Sequence, residues 1–458
     1  MHVVLSRRPA TSAVIWVGLV WFAPILGVLA YVLFGVNRVQ RRAAQVRREA
    51  HSAHDEDHPS VQEGEVRSAL SPGREHLETL AGLGDRLTSR PVRGGNRVVP
   101  LRDGDETYPA MLEAIGQARR SVTLATYIFD NDEAGRRFTE ALADAVARGV
   151  EVRVLIDDVG ARYSMPATSG PLRRAGVPTA RFHPAFIPWA MAYLNLRNHR
   201  KILVVDGETG FTGGMNIRVG HWLGQEPSNP VRDLHFRVEG PVVQDLQRVF
   251  VEDWGSTTGE WLSGETWFPG PKPVGDVLAR GISDGPDIDY DTLPSVLHGA
   301  LSVARSHVRI MTPYFIPTPT LTEALGVTAM RGVRVELYLP GRSNLAMVDW
   351  ASRAHWAPLL ERDCRIHLMP PASFDHSKLM VVDGAWVLLG SANWDPRSLY
   401  LNFEFNLECY SPRLAGDVEA VMTARTQGAR EVTQEDVEAR PLPLRLRDGV
   451  ARLLSPYL

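Results

Sequence analysis

Two stretches of this 458-residue chain carry the same polar residues at the same spacing. The first, NHRKILVVDGETGFTGGMN, holds His199, Lys201, Asp206, Gly213, Gly214 and Asn216. The second, DHSKLMVVDGAWVLLGSAN, holds His376, Lys378, Asp383, Gly390, Ser391 and Asn393. Both read H-x-K-x4-D-x6-G-[GS]-x-N. The chain has 50 basic residues, yet only Lys201, Lys272 and Lys378 are lysines, and two of these follow a histidine by two positions. Random placement of the histidines and lysines predicts about 0.1 H-x-K in the whole chain. Two copies in register are therefore a strong signal.

A histidine and a lysine two apart on a strand point to one face, and Arg200 and Ser377 between them point to the other. If the motifs converge, two imidazoles and two ammonium groups share a small volume. That cluster needs an anion, because buried unpaired charge is costly. A phosphodiester fits: the lysines neutralise its oxygens, and Asn216, Asn393 and the Ser391 hydroxyl can donate to it. One imidazole can attack phosphorus while the other protonates the leaving alkoxide, and the roles then exchange. The lysines supply the charge, so no cofactor is expected, and clustered ammonium groups disfavour a metal.

A nucleophilic imidazole needs its second nitrogen held by an acceptor. Asp233 in VRDLHF and Glu404 in LNFEFN, each downstream of its own motif, are the candidates. Asp206 and Asp383 belong to the catalytic motif by position. As turn residues closing a strand, they are expected to cap backbone amides.

The elements that must position these groups form an internal repeat. In the first copy SVTLATYIF (Ser121 to Phe129) reads as a strand, followed by a helix with Phe138, Leu142 and Val146 four apart, then a strand in RGVEVRVLID. In the second, HVRIMTPYF (His307 to Phe315), a helix around Leu321 to Met330, and RGVRVELYLP repeat the order. Strand–helix–strand units imply an α/β fold of two similar α/β/α lobes, related by a pseudo-two-fold axis with the site between them. The expected divisions are an anchor with a basic juxtamembrane segment at 1–50, a polar linker at 51–95 with one short helix around Arg74 to Leu87, a first lobe at 96–275 and a second at 276–458.

From Pro9 to Asn37 there is no charged side chain. The apolar run Ala13 to Val36 would make a helix of roughly 36 Å, enough to cross a bilayer once, with Pro24 and Gly27 as points where it can kink. Arg38, Arg41, Arg42, Arg47 and Arg48 follow it, which puts the lobes on the cytoplasmic side and favours anionic lipid. The insertion FHPAFIPWAMAYLNL (Phe182 to Leu196) reads either as a membrane-dipping element admitting acyl chains or as core packing. Net charge −3 argues against a nucleic-acid partner. Two cysteines, Cys364 and Cys409, exclude a disulfide scaffold and a cysteine-rich zinc site.

The paired motifs, with TPYFIP, FTGGMNI and GSANWDPRSLYLNFEFN, resemble those of the phospholipase D superfamily, and the chain from about Asn96 onward looks most like bacterial cardiolipin synthases. The resemblance implies a phosphohistidine intermediate and ping-pong transfer of a phosphatidyl group, two phosphatidylglycerols giving cardiolipin and glycerol. By position it makes His199 the nucleophile and His376 the acid/base, or the reverse, with Asp233 and Glu404 as the orienting acids. The implied partners are a phospholipid substrate and an anionic membrane. The same residues would serve a phospholipase D that uses water or another alcohol, or, against the charge, a nuclease.

Overall fold

The computed structural model describes residues 10–31, 64–70, 72–163, 169–182, 196–286, 289–371 and 374–455. Short β-branched runs form the strands. The first lobe contributes β1 (Arg93–Arg102), β2 (Ser121–Thr126), β3 (Glu151–Asp157), β4 (Thr179–Phe182), β5 (Ile202–Val205), β6 (Thr209–Gly213), β7 (Val231–Arg232) and β8 (Leu234–Glu239). The second contributes β9 (Val277–Asp284), β10 (His307–Met311), β11 (Arg334–Pro340), β12 (Arg365–Met369), β13 (Phe374–Asp375), β14 (Leu379–Val382), β15 (Trp386–Gly390), β16 (Glu404–Tyr410) and β17 (Arg430–Val432).

The strand order is β1-β8-β6-β5-β2-β3-β4 in one lobe and β9-β16-β15-β14-β10-β11-β12-β17 in the other. Each strand of the first series has its equivalent at the same place in the second, as a duplication requires. The two sheets meet where β1 pairs antiparallel with β9, at Arg93↔Ala279 and Asn96↔Val277. Asn96 fixes this seam: its amide donates to the carbonyls of Arg93 and Val277, and its side-chain oxygen accepts from Val242 N–H.

Helices Asp103–Gln117 and Glu133–Ala147 cover one face of the first sheet through Tyr108, Ile115, Phe138 and Leu142. Helices Thr292–Val303 and Pro319–Met330 do the same for the second through Leu297, Leu301, Leu321 and Leu325. Between the lobes, helices Val243–Thr258 and Pro412–Arg425 share one apolar cluster that includes Phe250, Trp254, Leu389, Leu407 and Val418. A continuous core across the interface holds the two motifs in fixed relation. Cys364 and Cys409 are both buried free thiols.

One expectation is corrected, and one falls partly outside the described residues. Of the apolar run Ala13 to Val36, residues 32–36 lie outside them; the described part forms two helices, Ala10–Phe22 and Pro24–Ala30, and no described helix is long and apolar enough to cross a membrane. Ala23, at φ −136° and ψ 71°, breaks the run, because the residue before a proline is pushed out of the α region. The second helix folds back: Trp16 and Tyr31 meet edge to face at 5.3 Å. A Cβ at Gly27 would collide with the Leu19 carbonyl, so the close approach needs glycine there.

The correction concerns the polar linker. Helices Glu65–Ala69 and Glu78–Leu87 bury Val66, Leu77, Leu80 and Ala81 in the core of the second lobe. Arg280, fully buried in β9, pairs with Glu408 and Asp85 and donates to the Ala81 carbonyl at 3.0 Å. Its guanidinium lies so close to Gly84 that a Cβ there would collide with it. Residues 64–70 and 72–95 are thus part of the fold rather than a tether. The juxtamembrane arginines, the acidic start of the linker and nearly all of the Phe182 to Leu196 insertion lie outside the described residues.

Candidate active site

Each motif strand enters the lobe interface through backbone bonds to the other lobe. His199 N–H donates to the Phe403 carbonyl at 2.9 Å, and Phe403 N–H donates to Arg197 at 2.8 Å. In the mirrored arrangement β13 pairs with β7, and His376 N–H donates to the Arg232 carbonyl at 2.7 Å. The residue after each clip is the candidate orienting acid, Glu404 or Asp233. His199 Nδ1 therefore lies 3.0 Å from Glu404 Oε1, and His376 Nδ1 lies 2.9 Å from Asp233 Oδ2. The acid downstream of one motif serves the histidine of the other.

An ionised carboxylate only accepts hydrogen bonds, so each Nδ1 carries the proton and Nε2 keeps its lone pair. The [GS] slot supports each acid from its own lobe. Ser391 donates to Glu404 Oε2 at 2.5 Å, and Asn402 adds a bond at 3.2 Å. In the first lobe a Cβ at Gly214 would sit 2.6 Å from Asp233 Oδ1, so glycine leaves that carboxylate its room.

The residue between His and Lys does more than face away. Arg200 donates to the Glu404 carbonyl at 3.1 Å and to Asp253 at 2.5 Å. Its counterpart is Ser377, and there Arg425 from helix Pro412–Arg425 takes over. Arg425 donates to the Asp233 carbonyl at 2.6 Å, Ser377 at 2.7 Å, Asp375 at 3.0 Å and Asp103 at 2.9 Å. Asp253 and Arg425 stand near equivalent ends of the two central helices, so each lobe fixes the backbone of an orienting acid with one guanidinium.

Lys201 and Lys378 are buried, each donating to the carbonyl of its own histidine, at 2.6 and 2.5 Å. Burial pushes Lys201 down to about 7, against the pull of Glu404 and with further repulsion from Lys378. Burial likewise lowers Lys378 to about 8, with Asp233 and Glu404 opposing. Burial lowers His199 to about 4, Glu404 working against the shift, and holds His376 well below its ordinary value, with both lysines adding to the effect. Burial raises Asp233 to about 6, whereas at Glu404 the pull of His199, Lys201 and Ser391 outweighs burial and the group stays low. The site is a desolvated cationic cluster whose charges an anion would restore.

This gives a kinetic expectation. The lysines of the free protein lose their protons between about pH 7 and about pH 8, and a bound phosphodiester raises both. kcat/KM should fall as pH rises through that window, while kcat falls only at higher pH. Coincident alkaline limbs in the two profiles would contradict it.

Of the sequence-derived residues, His199, Lys201, His376, Lys378, Asp233, Glu404 and Ser391 are brought together. Ser391 supports Glu404, so its hydroxyl is not available to a phosphate. Asn216 accepts from Ile128 N–H at 3.1 Å, leaving its –NH2 as donor, whereas Asn393 donates its –NH2 to Ser398 Oγ at 3.1 Å.

Asp206 and Asp383 are not at the site. They lie at the far ends of β5 and β14, with φ +52° and +50°. Asp206 accepts from the N–H groups of Arg119, Arg120 and Ser121. Asp383 accepts from those of Arg305, Ser306 and His307, from Ser306 Oγ, and at 2.7 Å from His76. Burial would raise Asp383, but these donors hold it at about 2. Its contribution to stability is therefore full above the ordinary carboxylate value and is lost as pH falls toward about 2. Asp383→Ala is expected to destabilise the fold by on the order of 3 kcal/mol with turnover per folded molecule retained. A normal melting temperature with lost turnover would place Asp383 in the chemistry instead.

Sequence reasoning missed several neighbours. Tyr127 lies edge-on to His199 at 5.1 Å, with Lys201 Nζ 5.5 Å from its ring centre. Tyr314 is edge-on to His376 at 6.2 Å, and buried His221 lies 6.2 Å from the same ring. The tyrosines end the repeated strands, which was the available signal. His221 had none.

Residues 111–254 and 297–425 match the family described as "Cardiolipin synthase, PLD-like domain", and residues 1–35 match "Phospholipase_D-nuclease N-terminal". The chain is similar to the cardiolipin synthase of Geobacillus thermodenitrificans, at 32% identity over 99% of this chain and 90% of that protein. It is similar to the major cardiolipin synthase ClsA of Bacillus subtilis, at 30% identity over 99% and 95%. The crystal structure of phosphatidylserine synthase from Haemophilus influenzae has the same fold, with TM-score 0.61 at 15% identity, covering 83% of this chain and 100% of that one.

Proposed function

The chain belongs to the cardiolipin synthase family of phospholipase D-like proteins, and from that premise we propose that it condenses two phosphatidylglycerols into cardiolipin and glycerol. The observation that carries the proposal is the crossed pairing of His199 with Glu404 and His376 with Asp233. It leaves two Nε2 atoms between the lobes, beside two lysines in one anion-demanding cluster.

In the first half-reaction His199 Nε2 attacks phosphorus and the bond to the glycerol headgroup breaks. His376, which takes up a proton at Nε2 from solvent as the anionic phosphodiester binds beside it, gives that proton to the departing glycerol oxygen. In the second, neutral His376 takes the proton from the terminal hydroxyl of another phosphatidylglycerol. That oxygen attacks phosphorus, the P–N bond breaks, and His199 is regenerated. Lys201 and Lys378 neutralise the phosphoryl oxygens through both displacements. The stronger claim of His199 to the nucleophile's role rests on Glu404, which stays ionised under three donors, while burial raises Asp233 toward neutrality.

The apolar segment within residues 1–50 anchors the enzyme in the membrane. Arg38, Arg41, Arg42, Arg47 and Arg48 set the lobes on the cytoplasmic face. Lipid product analysis after incubation with phosphatidylglycerol tests the reading. Cardiolipin with equimolar glycerol is expected, whereas phosphatidic acid as the sole lipid product would make the enzyme a phospholipase D.

A further inference from the structure

The C-terminal helix Leu442–Leu453 (LPLRLRDGVARL) turns its polar residue inward and its large apolar ones outward. Asp448 and Ala451 are buried, while Leu442, Leu446, Val450 and Leu453 are 66%, 61%, 60% and 75% exposed. At about 100° per residue these four and Leu454 fall within one third of the helix circumference. Asp448 is neutralised by Arg440 at 2.7 Å and Arg447 at 2.8 Å. Arg445 and Arg452, both exposed, have no carboxylate partner among the described residues. The one acid on the helix is thus buried and paired, and the surface left is aliphatic with a cationic flank, in a chain of net charge −3.

The helix is bound to the site. Ala451 packs with Ile316, Val348 and Ala351, with Tyr314 and Trp350 against them. Arg447 lies over Trp350 at 4.4 Å, and Tyr314 is the ring edge-on to His376. Leu345 and Met347, exposed on the adjoining helix Ala346–Arg353 and its N-cap, extend the apolar surface.

We infer that this helix pair is an interfacial platform that lies on an anionic phospholipid bilayer, with Leu446 and Val450 among the acyl chains and Arg445 and Arg452 at the phosphates. The aliphatic stripe supplies insertion and the unpaired arginines supply selectivity for anionic lipid, the pattern of an in-plane amphipathic helix. Its place behind Tyr314 holds the His376 side of the site at the headgroup level. The inference deepens the proposed phosphatidyl transfer and rests on it for its purpose.

The test uses the full chain with Val450→Cys, since Cys364 and Cys409 are buried. The new thiol is labelled with a polarity-sensitive fluorophore, and the protein is reconstituted into vesicles carrying an acyl-chain nitroxide. Strong quenching is expected in phosphatidylcholine–phosphatidylglycerol vesicles and little in phosphatidylcholine alone. Absence of quenching in the mixed vesicles, or equal quenching in both, overturns the inference. In parallel, Leu446→Asp with Val450→Asp should lower turnover of vesicular phosphatidylglycerol about tenfold and leave monomeric short-chain phosphatidylglycerol unaffected. Equal loss on both substrates would mean the helix only supports the fold, and would overturn it too. Failure of the unaltered enzyme to make cardiolipin from either substrate would count against the proposed function, while the quenching result still decides the platform.

Discussion

Replacing His199 or His376 by alanine is expected to lower cardiolipin formation by about 10^4-fold or more, with the fold intact. Both side chains sit in the polar cluster between the lobes and not in the apolar clusters, so a melting curve should move little. The two losses differ in kind. Without His199 no covalent intermediate forms, so exchange of labelled glycerol into phosphatidylglycerol also stops. Without His376 the nucleophile remains, and a substrate whose leaving group needs no protonation should still phosphorylate His199. The pair should also be non-additive, because the double variant has no further step to lose. Turnover within about tenfold of normal in either single variant would sink the mechanism.

The second large effect concerns the acids and tests the crossing of the lobes. Glu404→Gln and Asp233→Asn are each expected to lower kcat by about 10^3- to 10^4-fold with little change in KM, since an amide can present the wrong partner to Nδ1–H and stabilises no imidazolium. Glu404 lies 205 residues from the histidine it holds, and Asp233 lies 143 residues from its own. Glu404→Gln should therefore add almost nothing to His199→Ala. The readout that a merely structural role would not move is phosphorylation by a substrate whose leaving group needs no protonation: Glu404→Gln slows it, whereas Asp233→Asn leaves it near normal. The opposite assignment, each acid acting on the histidine of its own motif, would contradict the geometry.

The parts of this site legible in the sequence were those fixed by local spacing. The H-x-K pair on a strand, the apolar runs Ile202–Val205 and Leu379–Val382, and the repeat that frames them follow from a period of two residues and from strand–helix–strand order. Asp206 and Asp383 were legible as caps for the same reason, since a turn after a buried strand needs acceptors for its amides. The pairing of acid to histidine was not. Both acids were visible, but which imidazole each meets depends on the crossing at Phe403 and Arg232, a tertiary contact with no sequence signal. Arg425 was hidden likewise, because Ser377 transfers the role of Arg200 to a helix 48 residues away.

At the N-terminus Pro24 and Gly27 were legible as points where the apolar run can bend, and the rule that a residue before proline leaves the helix places the break at Ala23. In the linker the helix around Arg74 to Leu87 was legible, but the acidic stretch before it hid that Val66, Leu77 and Leu80 pack into the core of the second lobe. Ser391 shows a further limit. A hydroxyl beside a phosphate site reads as a donor to phosphate, and only the 2.5 Å contact to Glu404 reveals that the carboxylate claims it first.

The most direct test of the central claim is to stop the reaction of the full-length enzyme with phosphorus-labelled phosphatidylglycerol within its first turnover and map the labelled residue. The account predicts an acid-labile, base-stable phosphatidyl-histidine at His199 that disappears when unlabelled phosphatidylglycerol is added and reappears as cardiolipin. Cardiolipin accumulating with no label on either His199 or His376 would contradict it.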